Sequence, residues 1–596
     1  MSINKLTAFI AVKNNNNTQT NPISYQGVNS ANINNKGLLT DTVSFKGISE
    51  DNKTPDAKML AAVKKMLNED IKLQPEQPLY ITADKTHVPF LKILAEEAYK
   101  MGSGAVVIKI QEPELDALKA KYCTEPDWQC LEKQKNDLEE QGAAFVTFDE
   151  TNSPYEISGL SKKETEKVID KLDPKIPVEL QKKLEIDPEE FFTLVSPLKK
   201  GRPIRIVAER EHENNVLRLA EYAYKNGSGP IMVNYTEPGS VLERAFYKYA
   251  DEKLLTKAPQ KLLDMWQEIA DRKAARVFLK GADEEAFADI DSSRISKYGS
   301  IVNKAVKPIR EQAPDDICPW NIQYIPTTMS AKSAYSDKED AIASLDAAAD
   351  DFKKINRYGM LKEHIETLER VSNKMNNFGF KEIHFVSVDK NSREPDGKTD
   401  LYVGLSDKSR FHAATLKTRD GSSYLPNTPT EEVFSSPDRT KTHGVVSATM
   451  PLSLNGKIVE GIKMSFEEGK IASVSADTNE EMLKEHIKNN ENADMLGEVA
   501  LVAGSPIFDT GRIFNSTLLD ENAACHLAIG KGFDFCIEGA SEIEDPKEKK
   551  KYLESVNMND STTHNDFMIG GPDVVVEGIY ADGKKVTLIK DNKFQI

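Results

Sequence analysis

The residues best suited to chemistry lie in the last third of the 596-residue chain. Thr563-His564-Asn565-Asp566-Phe567 leads into the apolar pair Met568-Ile569, so a strand is expected there. Residues two apart on a strand face the same way, which sends the His564 imidazole and the Asp566 carboxylate toward one point. Upstream, Asp520-Glu521-Asn522-Ala523-Ala524-Cys525-His526-Leu527-Ala528-Ile529-Gly530 reads as a helix with Asp520 as its N-cap and His526 near its middle. Gly497-Glu498-Val499-Ala500-Leu501-Val502 sets a carboxylate at the mouth of an apolar strand, and Pro429-Thr430-Glu431-Glu432-Val433-Phe434 sets two beside a Pro-bounded turn. Each of these is weak alone, because acidic pairs are commonly solvated and a lone histidine commonly sits satisfied in a core. As a set, carboxylates with two neutral imidazoles suit a pair of divalent ions, one carboxylate bridging them, with zinc, cobalt and manganese all accepting such ligands. Two ions ~3.5–4 Å apart can activate a water and polarise a carbonyl.

These four motifs, in this order, resemble the thermophilic aminopeptidase family of metallopeptidases, the group of aminopeptidase T, aminopeptidase S and PepS. The resemblance is dense in Asn427 to Phe434, Gly497 to Val502, Asp520 to Ala528 and Thr563 to Phe567, and thinner from about residue 185 to the end. It implies a two-metal aminopeptidase of broad specificity, acting on peptides and usually dimeric. By motif position it makes Glu432, Glu498, His526, His564 and Asp566 the metal ligands. Glu431 is then a neighbour able to move protons, and Glu498 the bridging or base-like carboxylate. Three departures stand out. The family's tyrosine seven residues after the histidine matching His526 is here Phe533, which cannot donate a hydrogen bond. A charged run, Glu544 to Lys551, is inserted between His526 and His564, and reads as a solvated loop or helix end. The third is an additional N-terminal segment. Phe533 also keeps a rival open, a metal-binding, catalytically weak homologue acting in binding or assembly. A two-metal hydrolase acting on something other than peptides is a further rival.

The elements that must position these residues follow from patterning. Pro78 to Pro113 aligns on Pro203 to Pro238 at a constant offset of 125, with 15 of 36 positions identical, so a domain-sized unit is repeated. Each copy reads as strand, helix, strand: Leu79 to Ala83, Val88 to Met101 and Ala105 to Ile110 in the first. Gly102-Ser103-Gly104 follows the helix, so it reads as a C-cap and not as a phosphate cradle. His87 and His212 occupy equivalent places and read as packing residues. A helical stretch is expected from about Ser292 to Asn377. Short strands then follow at Ile383 to Val388, Leu401 to Leu405, Lys457 to Phe466 and Lys470 to Ala476, with turn chemistry at Asn455-Gly456. The expected fold is therefore duplicated α/β N-terminal units followed by an α+β C-terminal metallopeptidase domain. Its expected parts are a disordered Asn-rich tail over 1–53, the extra α/β copy over 54–182, an α/β unit with a helical segment over 183–380, and the catalytic domain over 381–596. Inside the tail, Ile23 to Val28 and Val43 to Ile48 look alike and read as docking peptides or chance.

Bulk properties narrow the partners. The net charge of −17 opposes phosphate backbones, so no nucleic-acid partner is expected. No apolar run reaches the ~18 residues needed to cross a bilayer. Leu6 to Val12 is too short for a secretory signal. A cytoplasmic location, no membrane partner and a homodimer are expected. The five cysteines are scattered and form no CxxC pair, which points to reduced thiols.

Overall fold

The computed structural model describes residues 55–148, 159–161, 163–164, 176–236, 241–281, 287, 289–454, 457–514 and 516–596. The Asn-rich tail, its two look-alike peptides and the Asn455-Gly456 turn lie outside the described residues. The architecture is mixed α/β. The first sheet has three parallel strands in the order Val106–Ile110, Leu79–Ala83, Ala144–Thr147. The helix Val88–Lys100 crosses between the first two strands and buries Leu91, Leu94, Ala95 and Ala98, the stripe its spacing announces. Gly102 ends it at φ +80°, with Gly102 N donating to Tyr99 O and Ser103 N to Ala98 O. Gly227 closes Glu213–Lys225 in the same way, at φ +82°. Both glycines act as helix caps.

The second sheet has five parallel strands in the order Asn427–Thr428, Trp320–Tyr324, Ala275–Lys280, Ile204–Glu209, Ile231–Thr236. Trp320–Tyr324 corrects the reading of 292–377 as helical throughout. The helices Ser292–Arg310, Thr328–Ala334, Ala341–Ile355 and Leu361–Phe378 are present, but this strand interrupts them. Its polar alternates hid it from pattern reading. Asn321 and Gln323 are fully buried and satisfied by long-range partners: Asn321 Nδ2 donates to Leu425 O and Gln323 Nε2 to Asn356 Oδ1.

Two large antiparallel sheets and two two-stranded ones, Leu416–Lys417 with Ser423–Tyr424 and Leu452–Leu454 with Lys457–Val459, complete the described residues. One has eight strands built on Glu382–Val388 and Pro395–Gly404. The expected single strand from Lys457 to Phe466 is two, Lys457–Val459 and Lys463–Glu467, in different sheets. The chain turns between them at Gly461, whose φ is +64°. The other sheet has five strands in the order His412–Ala413, Glu432–Ser435, Leu496–Val502, His526–Gly530, His564–Met568. One face of it joins a continuous core that runs from Leu180 to Ile589.

Candidate metal centre

The five-stranded antiparallel sheet sorts its residues onto two faces. Val433, Val499, Leu501, Leu527, Ile529 and Phe567 point into the core and are all at most 1% exposed. On the other face the register sets Phe434 beside Ala500, His526 and Met568, and Glu498 beside Ala528 and Asp566. Glu432 pairs with Val502 and His564 with Gly530 on that same face. Four strands thus deliver Glu432, Glu498, His526, His564 and Asp566 to one surface. The small residues Ala500, Ala528 and Gly530 leave room between them.

His526 opens the strand His526–Gly530 and is not in a helix; the helix of that motif covers only Thr517–Glu521. The helical reading failed because Ala523, Ala524 and Ala528 favour a helix locally, while pairing on both edges claims the segment for the sheet. Asp520 is not an N-cap either. Its carboxylate accepts from Phe514 N and Ser516 N and so braces the loop before the helix.

The five side chains form two trios. Glu432, Glu498 and His526 have donor atoms within 4.8 Å of one another, and so do Glu498, His564 and Asp566. Glu498 belongs to both. His526 Nε2 lies 3.1 Å from Glu432 Oε2, and His564 Nε2 lies 3.0 Å from Glu498 Oε2 and 3.1 Å from Asp566 Oδ1. Each imidazole turns its other nitrogen to a backbone carbonyl: His526 Nδ1 to Ala524 O at 3.2 Å, His564 Nδ1 to Lys531 O at 2.6 Å. A carbonyl can only accept, so Nδ1 carries the proton in both rings and a neutral ring offers its Nε2 lone pair to the carboxylates. A cation between them would satisfy that arrangement, and a backbone carbonyl is a standard partner behind a metal-binding imidazole.

The carboxylates favour positive charge at this centre, carried by a proton or by a metal ion. Burial works against both imidazolium forms, yet the surrounding carboxylates raise His526 to about 10 and His564 to about 9. Burial raises Glu498, reinforced by the charges of Asp566 and Glu432 and opposed by His564. Burial acts to raise Asp566 too, but the neighbouring His564 prevails and holds it well below the usual carboxylate range. The Oδ1 atom of Asp566 is buried and accepts no aligned hydrogen bond among the described residues, its one close partner being the His564 ring. The donor set of carboxylates and imidazoles fits divalent cations.

Glu431 stands outside both trios. It is 1% exposed and gripped by Arg357, Nε to Oε1 at 2.8 Å and Nη2 to Oε2 at 2.6 Å. Burial raises its carboxyl to about 7 against the pull of Arg357. Its backbone N–H donates to Asn522 Oδ1 at 2.7 Å, which ties the Glu432 strand to the Thr517–Glu521 helix. Phe533 borders the site, its ring centroid 5.0 Å from that of His564, and with Phe434 and Phe535 it forms an aromatic wall. The charged run lies in the exposed helix Pro546–Ser555. The five cysteines are free thiols.

Sequence reasoning overlooked Glu521 as a site residue. It is 2% exposed, its Oε1 has no partner among the described residues, and burial with the charges of Asp566 and Glu432 raises its pKa strongly. The signal was available: Glu521 sits five residues before His526, inside the same motif.

Comparison with known proteins agrees with this geometry. Residues 57–176 and 191–594 match the model of the thermophilic metalloprotease (M29) family. The chain is 29% identical over 403 residues to aminopeptidase PepS of Streptococcus thermophilus, covering 66% of this chain and 94% of that protein. It is 31% identical over 405 residues to aminopeptidase T of Thermus aquaticus, covering 67% and 95%. The solved structure of wild-type AmpT from Thermus thermophilus superposes with a TM-score of 0.62 at 29% identity, over 70% of this chain and 99% of that one.

Proposed function

The chain belongs to the thermophilic metalloprotease (M29) family, and from that premise we propose that it is a two-metal aminopeptidase that removes the first residue of peptides. The carrying observation is that Glu498 is common to both donor trios, as a bridging carboxylate would be. Glu432, Glu498 and His526 would hold one divalent ion and Glu498, His564 and Asp566 a second. The chemistry such a pair of zinc, cobalt or manganese ions supplies is polarisation of the scissile carbonyl and acidification of the attacking water. Glu498 would serve either as that bridge or as the base that takes a proton from the water and hands it to the leaving amine. Arg357 orients Glu431, which keeps the Glu432 strand in place and is a second candidate for proton movement. The wall of Phe434, Phe533 and Phe535 would offer an apolar surface to the first side chain of the peptide.

The test is hydrolysis of aminoacyl anilides by protein reconstituted with zinc, cobalt or manganese, beside His564→Ala. Wild type is expected to turn over and the variant to lose both activity and about one bound ion. Equal rates would remove the proposal. Phe533 favours a second reading, a site that binds metal but turns over slowly, because no hydroxyl stands there to hold the tetrahedral intermediate.

Four further parts of the reading rest on the repeat, the family resemblance and the bulk character of the sequence. They are an extra copy of the α/β unit over 54–182, a catalytic domain over 381–596, a homodimer, and a cytoplasmic location. The separate family match at 57–176 supports the first, and among the described residues no helix is long and apolar enough to cross a membrane.

A further inference from the structure

The strand His564–Met568 is the last in the metal-bearing sheet. One of its edges pairs with His526–Gly530, and the other meets no strand among the described residues. Its odd-numbered residues serve the paired edge. At the two ends of that ladder Ile569 N donates to Cys525 O and Lys531 N to Thr563 O. In an antiparallel pair the residues bonded to the neighbouring strand alternate with residues that are not. His564, Asp566 and Met568 therefore turn their N–H and C=O groups to the open edge.

One rung of that edge is filled from within the chain. Thr449 N donates to Met568 O at 2.8 Å, and Thr449 Oγ1 to Gly570 O at 2.8 Å. The two rungs beyond it are empty: the N–H and C=O groups of His564 and Asp566 make no main-chain hydrogen bond among the described residues. Asp566 is only 3% exposed. Main-chain groups this deep are nearly always paired. An unpaired strand edge is a template for another extended chain.

The empty rungs belong to the same two residues whose side chains face the metal centre. His564 Nε2 and Asp566 Oδ1 lie 3.1 Å apart on the face of the sheet, with Glu498 beside them. Phe533 stands next to His564, its ring centroid 5.0 Å from the imidazole. Residues two apart on a strand are ~6.8 Å from each other, the repeat of alternate residues in any extended peptide.

Resting on the aminopeptidase reading, we propose that the peptide substrate binds as an added strand on this edge. Its main chain bonds to the N–H and C=O groups of His564 and Asp566 while its first residue reaches the metal centre. Whichever way the peptide runs, alternate residues turn their N–H and C=O to the protein. Such a contact reads backbone and not side chains, so it takes extended peptides of any sequence and strengthens with length beyond the first residue.

Two measurements on the metal-reconstituted full chain test this, with aminoacyl anilide hydrolysis as the control. From dialanine to tetraalanine, kcat/KM is expected to rise about tenfold. N-methylation of tetraalanine at the third or the fourth amide is expected to lower kcat/KM about three- to tenfold at one of the two and not at the other, the worth of one net hydrogen bond. Anilide turnover with no gain from peptide length, or with equal effects of the two methyl groups, would overturn the edge site and leave the aminopeptidase standing. Amide hydrogen exchange gives a readout that needs no turnover. Tetraalanine with its first carbonyl reduced to a methylene is expected to slow exchange at the His564 and Asp566 amides and to leave Asn565, already paired in the ladder, unchanged. Slowed exchange without any hydrolysis would support the edge site and remove the aminopeptidase reading. Unchanged exchange at both amides overturns the edge site.

Discussion

The two histidines show how one residue type is put to one use through fixed tautomers. In His526 and His564 a backbone carbonyl claims Nδ1, and the Nε2 lone pair is left aimed at carboxylates. Phe533 lies beside His564 with a bare ring edge where a phenol would add a donor. Phe533→Tyr is expected to raise kcat in the anilide assay by as much as about 10²–10³, the usual worth of one donor to an oxyanion; an unchanged kcat would show that another group already fills that role. His364 supplies a pH dependence of stability. Burial, then the charge of Arg357, lowers its pKa from 6.5 to about 4, and its Nε2 donates to Thr430 O at 2.8 Å. Between those two values the unfolded chain binds the extra proton. The contribution is therefore full above pH 6.5 and is lost as the pH falls toward 4, by at most about 3 kcal/mol. Urea unfolding at both ends of that window should show a smaller loss in His364→Gln than in wild type.

At the scale of elements, the metal centre is a property of one sheet with two unlike faces. Its strands approach closely at glycines. A Cβ on Gly497 would meet Gly530 O at 2.4 Å, and one on Gly530 would meet Thr563 O at 2.2 Å. Gly530 also holds φ +105°, a conformation that other residues adopt only with strain. Gly530→Ala is therefore expected to push the His564–Met568 strand away from its neighbour. The fold should survive with a lower Tm, and cobalt absorption at the centre should weaken. A variant with unchanged cobalt affinity would show that the strand spacing at Gly530 does not position His564.

The whole molecule joins its N-terminal segment to the rest through a tryptophan. Trp128 is 3% exposed, packs in one cluster with Trp266, Met265 and Ile269, and donates from Nε1 to Pro230 O at 3.2 Å. Trp128→Ala removes a large buried ring, which costs about 3–5 kcal/mol in a well-packed site. Amide exchange across Gln129–Glu140 should accelerate, while kcat per bound metal stays at the wild-type value. A parallel loss of kcat would mean that the N-terminal segment supports the distant centre. At the other end of the same sheet, Asn427–Thr428 pairs with Trp320–Tyr324. Only three residues, Pro429 to Glu431, thus separate the parallel sheet from the entry of Glu432 into the metal-bearing one.

Much of the site was legible in the sequence because it depends on residue type and local order. His564 and Asp566 share a face at period two, Glu498 lies in an apolar strand, two residues inside its start, and Gly102 and Gly227 end their helices, all from local rules. What local rules could not reach depended on pairing at long range. The alanine-rich stretch around His526 prefers a helix in isolation, and two neighbouring strands make it a sheet. The polar alternates of Trp320–Tyr324 disguise a strand until Leu425 and Asn356 satisfy them. The family resemblance already singled out Glu432, but the physical reason lies 74 residues away in Arg357, which takes Glu431 and leaves Glu432 for the cluster. Residue chemistry is written along the chain, whereas burial, register and charge compensation exist only once distant segments meet.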